Sequence, residues 1–300
     1  LNDDGGRGQV LDVKDLNHAY GKSERGIFGL NFSLSKGERV ALLGLNGAGK
    51  STTFRAIAGL IPLEKTKVFI GGLDLASKRK EALGKVGYLS ENSPLPLELT
   101  PRQYLVAECQ LRGVSYERYT PSLVAEFELD SVLERPMFSL SRGFRKRIGL
   151  AASMCHGPSL LLLDEPTAGL DPHQVEQFRN LIKGVSRRCA VLISTHVLAE
   201  VEALCQRCLI LHLGRLRSEL TLPVEGDGRY FVEAQFSGGR PEGAFSVEGE
   251  DRFCYQTPPL VEPSQWLAER VKLGWRVWRF EPVQRSLEQD FLRIIGGKES

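Results

Sequence analysis

The stretch Gly44-Leu45-Asn46-Gly47-Ala48-Gly49-Lys50-Ser51-Thr52 limits what this chain can fold into more than any other. An apolar run at 40–43 precedes it and has the length of a short buried parallel strand, while residues 53–58 read as a helix. Strand, glycine-rich loop and helix in that order make a Gly-x4-Gly-Lys-Ser string a phosphate site rather than a surface turn. Gly44, Gly47 and Gly49 let the backbone take left-handed turns and bring its N–H groups up to phosphate oxygens. The helix that opens near Lys50 adds its positive end at the same point. In such a site Lys50 reaches the β- and γ-phosphates and the Ser51 hydroxyl takes a Mg²⁺ position.

A second signal lies far downstream. Leu160-Leu161-Leu162-Leu163 reads as a fully buried strand, with the adjacent carboxylates of Asp164 and Glu165 at its C-terminal end. In open α/β sheets that end is where ligands sit. Residues 189–195 form another apolar run, with His196 just past it. Ending a strand of the sheet that carries the phosphate loop makes His196 a site residue rather than a structural one.

The rest of the chain fills in around these signals. Alternating runs at 10–17 and 27–34 read as antiparallel strands ahead of the phosphate strand, with Tyr20 between them. An aromatic there either stacks on a base or packs against the sheet. Residues 67–70 and 86–89 read as strands, and Ser90-Glu91-Asn92 follows the second. From 100 to 147 the spacing is helical, and Ser141 is an N-cap candidate. Gly143 allows close backbone approach by something outside that helix. Helices are read over 174–185 and 197–208 and a strand over 209–213, which puts Cys205 and Cys208 on a helix as small core residues.

These readings give an α/β fold of the P-loop NTPase kind. It has a mostly parallel core sheet, an antiparallel β subdomain, an inserted helical subdomain and a small C-terminal α+β domain. The expected boundaries are an N-terminal tail over 1–9, a main domain over 10–217 with its helical subdomain about 92–156, and an accessory domain over 218–300. In that last region Gly226, Gly228, Gly238, Gly239, Gly243 and Gly249 punctuate short alternating runs. A strand at 275–280 and helices at 265–273 and 286–295 follow.

Composition excludes several alternatives. A formal charge of +2 gives no field that favours nucleic acid. The six cysteines are scattered rather than framed, as in a reducing compartment, and Cys205 and Cys208 lack a second pair for a metal site. No apolar run approaches the ~20 residues of a membrane span. The opening residues lack the basic-then-apolar pattern of a signal peptide. The expectation is a soluble chain whose membrane work needs another subunit.

In this order, the motifs resemble the ATP-binding subunit of an ABC (ATP-binding-cassette) transporter over residues 10–215. Residues 44–52 match the family's Walker A loop, so Asn46 and Thr52 join Lys50 and Ser51 around ATP; residues 160–165 match Walker B. Leu140-Ser141-Arg142-Gly143-Phe144 stands in the place of the LSGGQ signature, Ala168-Gly169-Leu170-Asp171 in that of the D-loop. His196 matches the switch histidine and Tyr20 the aromatic that stacks on adenine. Two positions depart from the family. Arg142 and Phe144 replace the usual Gly and Gln of the signature, and Glu91 replaces the Q-loop glutamine, where it adds negative charge beside a polyanion. Both variations, and the C-terminal domain ending Arg285 to Leu292, resemble the drug, polysaccharide and gliding-motility class of exporters.

The resemblance implies an ATPase working as a head-to-tail pair, most simply a homodimer. ATP lies between Lys50 of one cassette and Ser141 and Gly143 of the other, with Asp171 at the same interface. Asp164, Ser51 and Glu91 are the implied Mg²⁺ ligands, Glu165 polarises the attacking water and His196 contacts the γ-phosphate. The pair drives integral membrane transporter subunits through the groove near 91–99, from the cytoplasmic face of the cell membrane, with no nucleic acid as partner. The competing readings are a soluble, non-transport ABC ATPase and a nucleotide-dependent regulator. The first usually carries two cassettes or long coiled coils, and the second is favoured by loss of Glu165 or His196; neither feature is found here.

Overall fold

Among the described residues, the strands Leu160–Asp164 and Ala190–Thr195 are buried along their whole length, and the larger sheet forms around them. Continuous apolar runs of this kind suit the middle of a parallel sheet covered on both faces. The computed structural model describes residues 8–20, 26–62, 67–92, 94–224, 230–235, 245–246, 253–257, 262–282 and 286–296. The chain divides into two units, Leu1–Leu222 and Pro223–Ser300.

The first unit opens with strands β1 (Gln9–Ala19), β2 (Gly26–Ser35) and β3 (Arg39–Leu43), then helix α1 (Lys50–Ile57). Strands β4 (Lys67–Ile70) and β5 (Leu73–Asp74), helix α2 (Arg79–Leu83) and strand β6 (Val86–Leu89) follow. Helices α3 (Pro101–Leu111), α4 (Tyr116–Glu126) and α5 (Arg142–Met154) precede strand β7 (Leu160–Asp164). The unit closes with α6 (Pro172–Val185), β8 (Ala190–Thr195), α7 (Leu198–Leu204), β9 (Arg207–His212) and β10 (Arg215–Thr221).

An antiparallel sheet, in the order β2-β1-β4-β5, pairs Leu11 with Leu34, Val13 with Phe32 and Leu16 with Leu30. All six side chains are buried, which is what the alternation at 10–17 and 27–34 requires of a sheet with one face on the core. The larger sheet has the order β10-β9-β3-β8-β7-β6, parallel except for β10. Leu160 to Leu163 are each 0% exposed. At about 1.5–3 kcal/mol per buried leucine, this strand is a main source of the sheet's stability. One core cluster joins residues of both sheets to Phe54 and Ile57 of α1, so the helix behind the phosphate loop is packed against both.

Strands β6 and β7 are parallel neighbours, Val86 opposite Leu160 and Leu89 opposite Leu163. Helices α3 to α5 are therefore an insertion in one parallel crossover. Proline at the first turn of α3 and a reciprocal box between Thr100 and Gln103 start this insertion, worth about 1 kcal/mol in cap bonding.

The helix expected over 197–208 stops at Leu204, and Cys208 lies on β9 rather than on a helix. Tertiary pairing accounts for the difference. Residues 207–210 form a parallel ladder with 40–43, which outweighs local helical preference. Burial pushes the Cys208 thiol up to about 12 and Cys205 higher still, so both thiols stay protonated and inert. The first unit also runs past the boundary expected at 217, because Arg215–Thr221 completes an antiparallel ladder with β9.

The second unit contains strands β11 (Tyr230–Gln235), β12 (Phe245–Ser246) and β13 (Phe253–Gln256), helix α8 (Pro263–Lys272), strand β14 (Arg276–Pro282) and helix α9 (Leu287–Ile295). Its antiparallel sheet has the order β12-β13-β11-β14. Val232, Ala234 and Trp266 form the core, and the Trp266 ring stacks on Phe280 with centroids 5.7 Å apart. The glycines read as punctuation between 226 and 249, the tail over 1–7 and Arg285 lie outside the described residues.

Candidate active site

The loop between β3 and α1 depends on glycine at two points for different reasons. Gly49 has φ 106°, a conformation that side chains rarely adopt, and a Cβ there would lie 2.8 Å from Ile27 Cγ2. A Cβ at Gly44 would lie 2.5 Å from the Leu211 carbonyl oxygen, so this position is fixed by space. Helix α1 starts at Lys50 with no side-chain cap. Its first N–H groups, with the hydroxyls of Ser51 and Thr52 on the same turn, are the kind of donors that an anion takes at a helix start. Lys50 is only 7% exposed, and its ammonium donates to the carbonyls of Gly44 at 2.8 Å and Leu45 at 3.4 Å, folded back over the loop. Leu45, Asn46 and Gly47 form its exposed lip.

Tyr20 stands beside this loop. Its hydroxyl is 3.4 Å from Thr52 Oγ1, its ring meets His18 edge-on, and 45% of its surface is open. A ring so placed next to a polyphosphate site can take a base against its face.

The C-terminal ends of β3, β8 and β7 lie side by side, with Leu43 opposite Thr195 and Ser194 opposite Asp164. That register brings three motifs, spread over residues 44–196, to one point. Asp164 is 4% exposed and accepts a hydrogen bond from the Ser194 hydroxyl. Glu165 turns the chain out of the sheet at φ 46°, a strained value for a residue with a side chain, costing about 1–2 kcal/mol. Its N–H donates to Ser194 O and Oγ, each at 3.1 Å, and these bonds hold the strained turn. The Glu165 carboxylate then lies 3.6 Å from Lys50 Nζ and 3.0 Å from His196 Nδ1.

Beneath this point is a buried network that sequence reasoning missed. Glu200 of α7, 6% exposed, accepts from the hydroxyl of Thr167 and, at 2.8 Å, from that of Thr195. Burial raises its pKa, opposed by the Thr195 bond and by Arg179. The network ties the turn after Glu165 to the residue before His196. The available signal was a polar residue inside an apolar strand: Ser194 and Thr195 interrupt the buried run of β8.

Other expected site residues gather elsewhere. Ser141 caps α5, accepting from Phe144 N at 3.3 Å, and is exposed. Asp171 caps α6, accepting from Gln174 N at 2.9 Å. A Cβ on Gly143 would lie 2.9 Å from the Gln174 side chain, so the close approach expected at this glycine is made within the same chain. Gly143 and Asp171 thus meet at Gln174, at the starts of α5 and α6, and Ser141 caps the same end of α5. Glu91, just past β6, is exposed, and its carbonyl accepts from Lys146 Nζ at 2.9 Å.

The architecture and this site define a nucleotide-hydrolysing cassette, and comparison with known proteins agrees. Residues 27–168 match the family model described as ABC transporter. The Nod factor export ATP-binding protein I of Rhizobium leguminosarum bv. viciae is 32% identical, covering 96% of this chain and 95% of that protein. The bacitracin transport ATP-binding protein BcrA of Bacillus licheniformis is 29% identical, covering 96% and 98%. A solved structure described as the ATP-binding subunit of an ABC transporter is 34% identical with a TM-score of 0.64, over 71% of this chain and 90% of that one. The chain belongs to the ATP-binding proteins of the ABC transporter family. It is an ATPase subunit that works with separate membrane subunits, and among the described residues no helix is long and apolar enough to cross a membrane.

Proposed function

We propose that this chain powers export, and that two copies close on ATP head to tail. The export reading is supported by full-length similarity to proteins named for Nod factor export and bacitracin transport. The pairing reading is supported by one observation. Lys50, Asp164, Glu165 and His196 converge, whereas Ser141 is exposed at the start of another helix, with Gly143 against Gln174 beside it. A γ-phosphate held by Lys50 would meet Ser141 of the partner subunit, and each chain alone presents half of the site.

The residues around the loop have the donor set for Mg-ATP: uncapped helix N–H groups, a buried ammonium, two hydroxyls and a buried carboxylate. The described residues hold no cluster of three or more metal-binding side chains. Mg²⁺ needs none, since it keeps waters and binds mainly through substrate phosphates and one or two protein oxygens. Ser51 and Asp164 would supply those oxygens, and the ion would neutralise charge building on the phosphates. Lys50 binds the β- and γ-phosphates. Glu165 orients the attacking water, and His196 fixes the carboxylate from the other side. Tyr20 stacks on adenine. Phosphoryl transfer asks a protein mainly for such positioning and charge stabilisation. The closed pair would act on membrane subunits through the surface at 91–99, from the cytoplasmic side.

Light scattering on the Glu165→Gln chain tests this reading. A mass of one chain without nucleotide and two chains in saturating Mg-ATP is expected. A mass that stays at one chain, with ATP bound, contradicts the pairing.

A further inference from the structure

Lys146 lies within α5, the helix that Ser141 caps. Five residues at ~100° each set the two about 140° apart around the helix, so Lys146 faces away from the surface that Ser141 presents. Its half-buried side chain runs inward to the ends of β6 and β7. There Nζ donates to the carbonyl oxygen of Glu91 at 2.9 Å and reaches that of Glu165 at 3.5 Å. One ammonium of the inserted helical subdomain thus holds the backbone just past two adjacent parallel strands.

We propose that Lys146 is a positioning residue for ATP hydrolysis, latching the helical subdomain to the backbone of Glu165 and of the Glu91 loop in the same chain. The inference rests on the role of Glu165 given above. The Glu165 N–H is taken by Ser194, its carboxylate meets Lys50 and His196, and its carbonyl accepts from Ala168 N at 3.2 Å within the same turn; Lys146 adds the tie from this turn to the helical subdomain. A rotation of α5 relative to the sheet would lengthen the Nζ contacts first, and so would loosen the carboxylate that orients water. The same helix would then sense the partner's nucleotide at its exposed start and its own chain's catalytic turn on its inner face.

Charge supports the geometry. Partial burial lowers the pKa of Lys146, while the carboxylates of Glu91, Asp164 and Glu165 favour the ammonium. Lys146 thus brings a positive charge to the backbone of Glu91 and Glu165.

Steady-state ATPase assays on the full chain test the proposal, with Lys146→Met removing the donor and charge at nearly constant length. Lys146→Met should lower kcat about tenfold or more and leave KM for Mg-ATP within about twofold, because the displaced group acts in the reaction and not in binding. Lys146→Arg, which keeps a cation and donors, should recover most of the loss. In a Glu165→Gln background, Lys146→Met should cause no further loss, since the two act as one unit. Should Lys146→Met not fold, Lys146→Gln is read in the same way. Normal turnover in Lys146→Met beside a slow Glu165→Gln overturns the latch alone. Normal turnover in Glu165→Gln overturns the role of Glu165, and the latch with it. A loss that multiplies in the double variant, or that resides in KM, assigns Lys146 elsewhere and also overturns the proposal.

Discussion

His196 Nδ1 lies 3.0 Å and 3.1 Å from the two carboxylate oxygens of Glu165, so an imidazole past the end of β8 orients a carboxylate past the end of β7. The contact exists because Asp164, one residue before Glu165, is in register with Ser194, two residues before His196.

His196→Ala should leave ATP binding near normal and reduce turnover by about 10²-fold, the lower end of what positioned acid–base groups contribute. Fluorescent-nucleotide binding and a phosphate-release assay on the same preparation separate the two effects. Unchanged turnover would remove His196 from the site.

Ser194 supports Asp164 and the Glu165 turn at once. Ser194→Ala deletes the hydroxyl bonded to a buried carboxylate, at a cost of about 1–3 kcal/mol in urea unfolding. A shifted Mg²⁺ requirement should accompany it, because the Asp164 oxygen loses its fixed orientation. Equal stability and equal Mg²⁺ dependence would mean that the hydroxyl is dispensable.

The buried Glu200 gives stability a pH dependence of known sign. Its folded pKa is raised, mainly by burial, above an ordinary value of 4.5. The folded state therefore holds this proton to higher pH than the unfolded chain does. Its contribution is present below the unfolded value and is lost as pH rises through the folded one. Glu200→Gln cannot ionise, so the stability of the variant relative to wild type should improve as pH rises above the ordinary value of 4.5. A difference that stays constant with pH would show that the carboxyl does not titrate in that range.

The residues of the proposed site were legible in sequence because their signals are local. Residues 44–52 contain strand end, loop and helix start in one run, and Leu160 to Glu165 contain a buried strand and its terminal carboxylates. His196 was legible for the same reason, as the first residue past an apolar run. Glu200, Ser194 and Lys146 were not, because each acts through a partner in another element. A glutamate in a short helix looks like a solvated residue until Thr167 and Thr195 close over it. Cys208 was misplaced on a helix because its strand is specified by Val40 to Leu43 far upstream, not by its own neighbours.

Glu91 adds a negative charge near the site, and its backbone is held by Lys146. Two unit charges about 4–5 Å apart interact by several kcal/mol at an effective dielectric near ~20, so this charge opposes a polyphosphate unless it binds the metal. Glu91→Gln should raise basal ATPase of the isolated subunit and weaken stimulation by the membrane partner. Falling basal activity with a higher Mg²⁺ requirement would instead indicate direct coordination by Glu91.

The central claim is that Glu165 orients the water that attacks Mg-ATP. The most direct measurement is single-site ATP binding and phosphate release in wild type and Glu165→Gln, side by side. Binding within a few-fold of wild type and turnover lower by ~10²-fold or more are predicted. Turnover equal to wild type in the Glu165→Gln chain would contradict the claim.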